Sequence, residues 1–137
     1  MSRGFGLAVL SVALIAVQSG TASSAERKIQ LAQAGGGNAY AVANKCAYPI
    51  RALVHLVDPV RGWRTHGWVS LKPGEKSKGF VTRNRYVYFY AVSADGKNVL
   101  NASRDGRRNI RVGEKIYPMG RTNIGPRFRK YTKTFCG

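Results

Sequence analysis

The chain has 137 residues, of which 23 are Lys or Arg and 6 are Asp or Glu, for a formal net charge of +17. That length holds one domain, and six scattered acids leave no opposed carboxylate pair of the kind a glycosidase needs. The charge far exceeds what solubility requires and points to an anionic partner, because self-repulsion on this scale opposes compaction.

Residues 1–25 read as a secretory signal peptide: Arg3, an apolar run from Leu7 to Val17, then the small residues Thr21 to Ala25. The run is shorter than the ~20 residues of a spanning helix, and the alternative is an uncleaved anchor. Removing residues 1–25 removes Arg3 and no acid, leaving 22 − 6, or +16, on 112 residues. Residues 26–39 read as a flexible linker ending in Gly35-Gly36-Gly37.

Residues 40–137 read as a single β domain. The expected strands are Tyr40 to Cys46, Pro49 to Val57, Trp63 to Leu71, Lys78 to Thr82, Arg85 to Ala94, Asn98 to Ala102, Ile110 to Tyr117 and Phe128 to Phe135. Turn signals separate them: Asp58-Pro59, Lys72-Pro73-Gly74-Glu75, Asp95-Gly96, and a charged turn around Gly106. Short strands at this spacing predict an all-β fold, a compact antiparallel β-sandwich or partly open barrel of seven to eight strands. In Tyr86-Val87-Tyr88-Phe89-Tyr90-Ala91 alternation places the tyrosines on one face and Val87, Phe89 and Ala91 in the core. The tyrosines then either pack against neighbouring strands or face a ligand.

The two cysteines, Cys46 and Cys136, span the folded region, and an even count in an exported chain favours a disulfide over two free thiols. No C-x-x-C redox motif is present.

Several uncommon residues fall in a known arrangement: Asn44-Lys45, Trp63, Gly67-Trp68, Pro73-Gly74, and the tyrosine strand ending in Ala91. Over roughly residues 40 to 96 the chain resembles the DUF1036 family of small exported or membrane-associated bacterial proteins. The resemblance implies a compact, mostly β domain and brings no catalytic residues with it. That pattern often carries one cysteine just before the Asn and another just after Pro-Gly-x; here Ala43 and Lys76 stand there, and Cys46 with Cys136 would be a relocated staple.

Candidates for chemistry are few. His55 and His66 are the only histidines; an acid–base pair with a nearby cation would make a small basic ribonuclease, against the plainer reading of two structural or surface histidines. No zinc set, G-x-S-x-G elbow or phosphate loop appears. No nucleic-acid module signature is present, so specific nucleic-acid recognition is not expected.

Basic and aromatic side chains carry the stronger signal. Arg83 and Arg85 precede Tyr86, Tyr88 and Tyr90; Arg104, Arg107 and Arg108 crowd one turn; Arg127, Arg129 and Lys133 load the last strand; Trp63 and Trp68 supply large rings. Guanidinium forks fit phosphate and carboxylate, and rings can stack on sugars or receive cations. The expected protein is a periplasmic or secreted non-catalytic module without a cofactor. Its surface would hold an anionic envelope component: lipopolysaccharide, acidic polysaccharide or phospholipid headgroups. A structural accessory that binds another envelope protein is the alternative, with dispersed charge and no dedicated ligand as the plainest case.

Overall fold

The computed structural model describes residues 37–126 and 130–137 together with Ser23; the rest of the expected signal peptide and nearly all of the linker lie outside them. The described chain is all-β, with nine strands: β1 Asn38–Asn44, β2 Ile50–Asp58, β3 Gly62–Leu71, β4 Phe80–Thr82, β5 Tyr86–Ser93, β6 Val99–Leu100, β7 Arg107–Val112, β8 Lys115–Asn123 and β9 Lys130–Phe135.

The larger sheet is antiparallel and runs β3-β2-β5-β8-β7, with β6 also pairing β5. It curls into a half-barrel. The smaller sheet runs β4-β1-β9, and its β1–β9 pair is parallel, from Ala39↔Lys130 to Asn44↔Phe135. That parallel pair departs from the purely antiparallel expectation. It arises because the chain's last strand returns beside its first, and the Cys46–Cys136 disulfide ties their far ends together.

Two further differences concern the strands themselves. Ile110 to Tyr117 is not one strand but the two arms of a hairpin, β7 and β8, turning on Gly113 with φ 61°. Glycine takes that conformation at no steric cost, and a Gly-x pair between strands is a two-residue hairpin turn. The strand then continues to Asn123. Its Pro118 is tolerated because pairing to β5 begins only at Gly120. The return strand after Asp95-Gly96 shrinks to Val99 and Leu100, and β1 starts at Asn38 inside the expected linker.

The main core lies between the sheets. Ala52, Val54 and Leu56 of β2, Val87, Phe89 and Ala91 of β5, and Tyr40 and Val42 of β1 are all fully buried there. Alternation on β5 is as expected. Leu53 and Tyr88, pointing the other way, are buried as well, with Met119 and Ile110, in a second cluster on the concave side of the large sheet. β2 and β5 are therefore covered on both faces.

Asn44 holds the corner between β1 and β2. Its Nδ2 donates to the carbonyls of Tyr48 and Leu71, and its Oδ1 accepts from the Cys46 amide. Nearby, Ala43 and Lys76 face each other in an isolated antiparallel bridge, flanked by hydrogen bonds from Asn44 N to Glu75 O and from Ser77 N to Val42 O.

Candidate functional site

The concave face of the half-barrel collects most of the aromatic rings outside the main core. A register shift on the β2–β3 pair makes this so. Ala52 pairs with Val69 but Val54 pairs with His66, so β3 carries one extra residue in a bulge at Gly67-Trp68. Trp63 and Trp68 are five apart, and strict alternation would send them to opposite faces. The bulge resets the phase, and both indoles reach the concave side.

At one end, Trp63 lies flat on His55, with ring centroids 5.1 Å and planes 11° apart, and tilts against Tyr88 at 5.8 Å. His55 Nδ1 shares a 2.8 Å hydrogen bond with Thr65 Oγ1. Burial holds the His55 pKa below the ordinary imidazole value, and the Arg108 charge pushes it the same way. The ring is therefore neutral near pH 7. An open cleft of about 220 Å³ lies here, lined by His55, Trp63, Tyr88, Arg108, Asn109 and Ile110. Trp63 stands on one edge strand and Arg108 on the other. In a flat sheet, four strand spacings of about 4.8 Å would separate those edges by roughly 19 Å. Curling alone brings them to one cleft.

At the other end, Trp68, Tyr90 and Tyr117 meet edge to face, with centroid distances of 5.7 Å for Trp68–Tyr117 and 5.1 Å for Tyr90–Tyr117. The Arg51 guanidinium lies over the Trp68 ring, 5.0 Å from its centroid. Beside Tyr88 on the same strand face, Tyr86 receives two guanidinium groups, Arg121 at 5.0 Å and Arg85 at 5.4 Å.

The structure thus brings together Trp63, Trp68, Tyr86, Tyr88, Tyr90, Arg85 and Arg108 from the sequence-based set. Tyr88 plays both parts weighed for the tyrosines, packing in the second cluster and lining the cleft. Arg107 pairs with Gly120 and points to the opposite face from Arg108; Arg83 and Arg104 are exposed on loops. Arg127 and Arg129 lie outside the described residues.

Lys133 departs from the expected surface. It shares a strand face with Tyr131, which stacks on Tyr40, and with buried Phe135, and its Nζ sits 4.5 Å from the centre of the Phe89 ring. It therefore points between the sheets, on the far side of β5 from the concave face. Burial lowers its pKa, and the Asp105 charge opposes the shift.

His66 tilts against Phe80 on the side of the sheet opposite His55. The two imidazoles do not converge on a common substrate. Among the described residues no group of three His, Cys, Asp or Glu side chains is placed to hold a metal ion.

The acids explain why so much positive charge stays available. Asp58 Oδ1 accepts from the amides of Val60 and Arg61, Glu75 Oε2 from Lys72, Asp95 Oδ1 from Lys97 and the Ser93 hydroxyl, and Asp105 Oδ2 from Asn123. These carboxylates spend their hydrogen bonds on backbone amides and one hydroxyl, and Asp58 also feels the nearby Arg61 charge.

Arg51, Tyr117, Arg121 and Asn109 escaped the sequence-based set. Arg51 alternates with Leu53 and His55 on one strand face, which was readable. Tyr117 and Arg121 needed the β7–β8 hairpin to be recognised.

The disulfide points to an oxidising compartment, and among the described residues no helix is long and apolar enough to cross a membrane. Comparison with family models, curated proteins and solved structures finds no match, and the chemistry of the concave face itself carries the functional argument.

Proposed function

We propose that this is an exported, periplasmic or secreted, non-catalytic module of a bacterial envelope that binds an acidic glycan on its concave face. The observation that carries the reading is the pairing of exposed aromatic surface with guanidinium groups inside one concavity: Trp63 with Arg108, and Trp68 with Arg51. Sugar rings present apolar C–H faces that stack on indole and phenol, while acid groups take the forked guanidinium contacts. Trp63 and Trp68 remain 49% and 37% exposed, more open than tryptophan usually is in a folded domain. The neutral His55 beside Arg108 adds a polar contact without adding charge.

Lipopolysaccharide and acidic polysaccharide both offer this chemistry, and isolated phospholipid headgroups lack the stacking partner. The opposite orientation of His55 and His66 speaks against the two-histidine ribonuclease. A protein partner is distinguished by salt. Binding to immobilised lipopolysaccharide or acidic polysaccharide is expected to fall steeply between about 0.02 and 0.3 M salt, as the Debye length shrinks from roughly 20 to 6 Å, and to weaken in Trp63→Ala. Retention unaffected by salt and by Trp63→Ala would overturn the reading.

A further inference from the structure

We infer that the concave face holds two ring-and-guanidinium subsites, Trp63 with Arg108 and Trp68 with Arg51, which together take a linear glycan whose successive sugars each carry an acid group. The inference rests on the acidic-glycan reading and adds the length and charge spacing of the ligand.

Trp63 and Trp68 lie on one strand, five residues apart with one residue absorbed in the bulge. At about 3.3 Å per residue the two side chains leave the strand roughly 13 Å apart. A single sugar ring or headgroup covers less than half of that span. Each subsite offers the same pair of chemistries, a flat ring and a guanidinium. A polymer with an acid on each sugar repeats the same pair along its axis. At the second subsite Arg51 already rests on Trp68, so less side-chain freedom is lost when it meets an anion. The strand residues that the register places on this face include no Asp or Glu: Arg51, His55, Tyr88, Tyr117, Arg121 and Arg108 are representative. An acidic chain laid across it meets no like charge from those strands.

The test is calorimetric titration of the full-length protein with two oligosaccharide series at fixed ionic strength. Oligogalacturonides carry carboxylates; heparin-derived oligosaccharides carry sulfates as well. In at least one series the hexasaccharide is expected to bind on the order of tenfold or more tightly than the disaccharide, and the responding series names the anion. Arg51→Gln, at an exposed position, should bring the hexasaccharide close to the disaccharide, because it weakens the longer ligand by a larger factor than the shorter one. Arg111→Gln, an equal loss of charge on the other face of β7, should leave the length dependence intact. Equal affinity for short and long members, equal weakening of both by Arg51→Gln, or the same effect from Arg111→Gln would overturn the two-subsite inference and leave a single glycan site. Failure of every member of both series to bind would remove the acidic-glycan reading as well.

Discussion

The Trp63 indole covers the His55 imidazole in a parallel stack, and Tyr88 closes a second side of the same ring. This half-buried imidazole, beside the Arg108 charge, takes up a proton less readily than it would in the unfolded chain. A depressed histidine pKa makes the unfolded state the better proton binder, so stability is full at high pH and is lost as pH falls through the ordinary imidazole value of 6.5 towards the lower folded one. The thermal midpoint is therefore expected to drop between pH 8 and pH 5, and His55→Gln should flatten that drop. An identical decline in the variant would show that His55 is not its source.

Trp63 and Trp68 are the chain's two tryptophans, and both stand on the concave face. Tryptophan emission is consequently a report on that face. An acidic oligosaccharide should shift or quench the emission, with Trp63→Phe and Trp68→Phe each removing part of the change. Binding that leaves the emission untouched would place the ligand elsewhere.

Asn44 uses both ends of its amide in the closed corner at the start of β2. Alanine there removes all three bonds, two of them buried, to the Leu71 carbonyl and from the Cys46 amide, at about 1–3 kcal/mol for each buried group left unsatisfied. Chemical denaturation of Asn44→Ala should show a loss of at least that order, without a change in spectroscopic fold at low denaturant.

Gly120 lets β8 approach Phe89. A Cβ there would lie 2.5 Å from the Asn101 carbonyl oxygen and 2.7 Å from Phe89 Cζ. The first neighbour is backbone and the second is a core ring, so neither yields cheaply. Gly120→Ala is expected to cost about 1–3 kcal/mol, read as a lower denaturation midpoint; an unchanged midpoint would mean the strand pair relaxes freely.

The Cys46–Cys136 bridge closes a separation of 90 residues. Replacing both cysteines with serine should cost about 2–5 kcal/mol. Ala43 and Lys76 form a non-hydrogen-bonded antiparallel pair, whose Cα spacing of about 4.5 Å falls within disulfide range. Adding Ala43→Cys with Lys76→Cys to the serine variant should form a new bridge under oxidising conditions and recover much of the loss. Free thiols in the oxidised quadruple variant would contradict that geometry.

Local chemistry made much of the fold legible. Val87, Phe89 and Ala91 alternate with tyrosines, and a period of two in so apolar a run has no other stable use than a strand with a buried face. Pro73-Gly74 and Asp95-Gly96 break the chain where they must. The Gly113-Glu114 turn went unread because its neighbours Val112 and Ile116 make the interval look continuous, and with it went Tyr117, Met119 and Arg121. The parallel β1–β9 pair was out of reach for another reason: it joins the first and last strands, and nothing local encodes which distant strands become neighbours.

Residue type and spacing within a few positions were enough for an all-β chain, its principal core strand, a strong positive charge and the two cysteines that pair. Which side chains share a face depends instead on long-range packing. One extra residue in β3 turns Trp68 to the side of Trp63, and the curl of the large sheet carries Arg108 from one edge to the indole at the other. Both are matters of strand register and sheet curvature, which are set by how the whole sheet packs rather than by any segment alone.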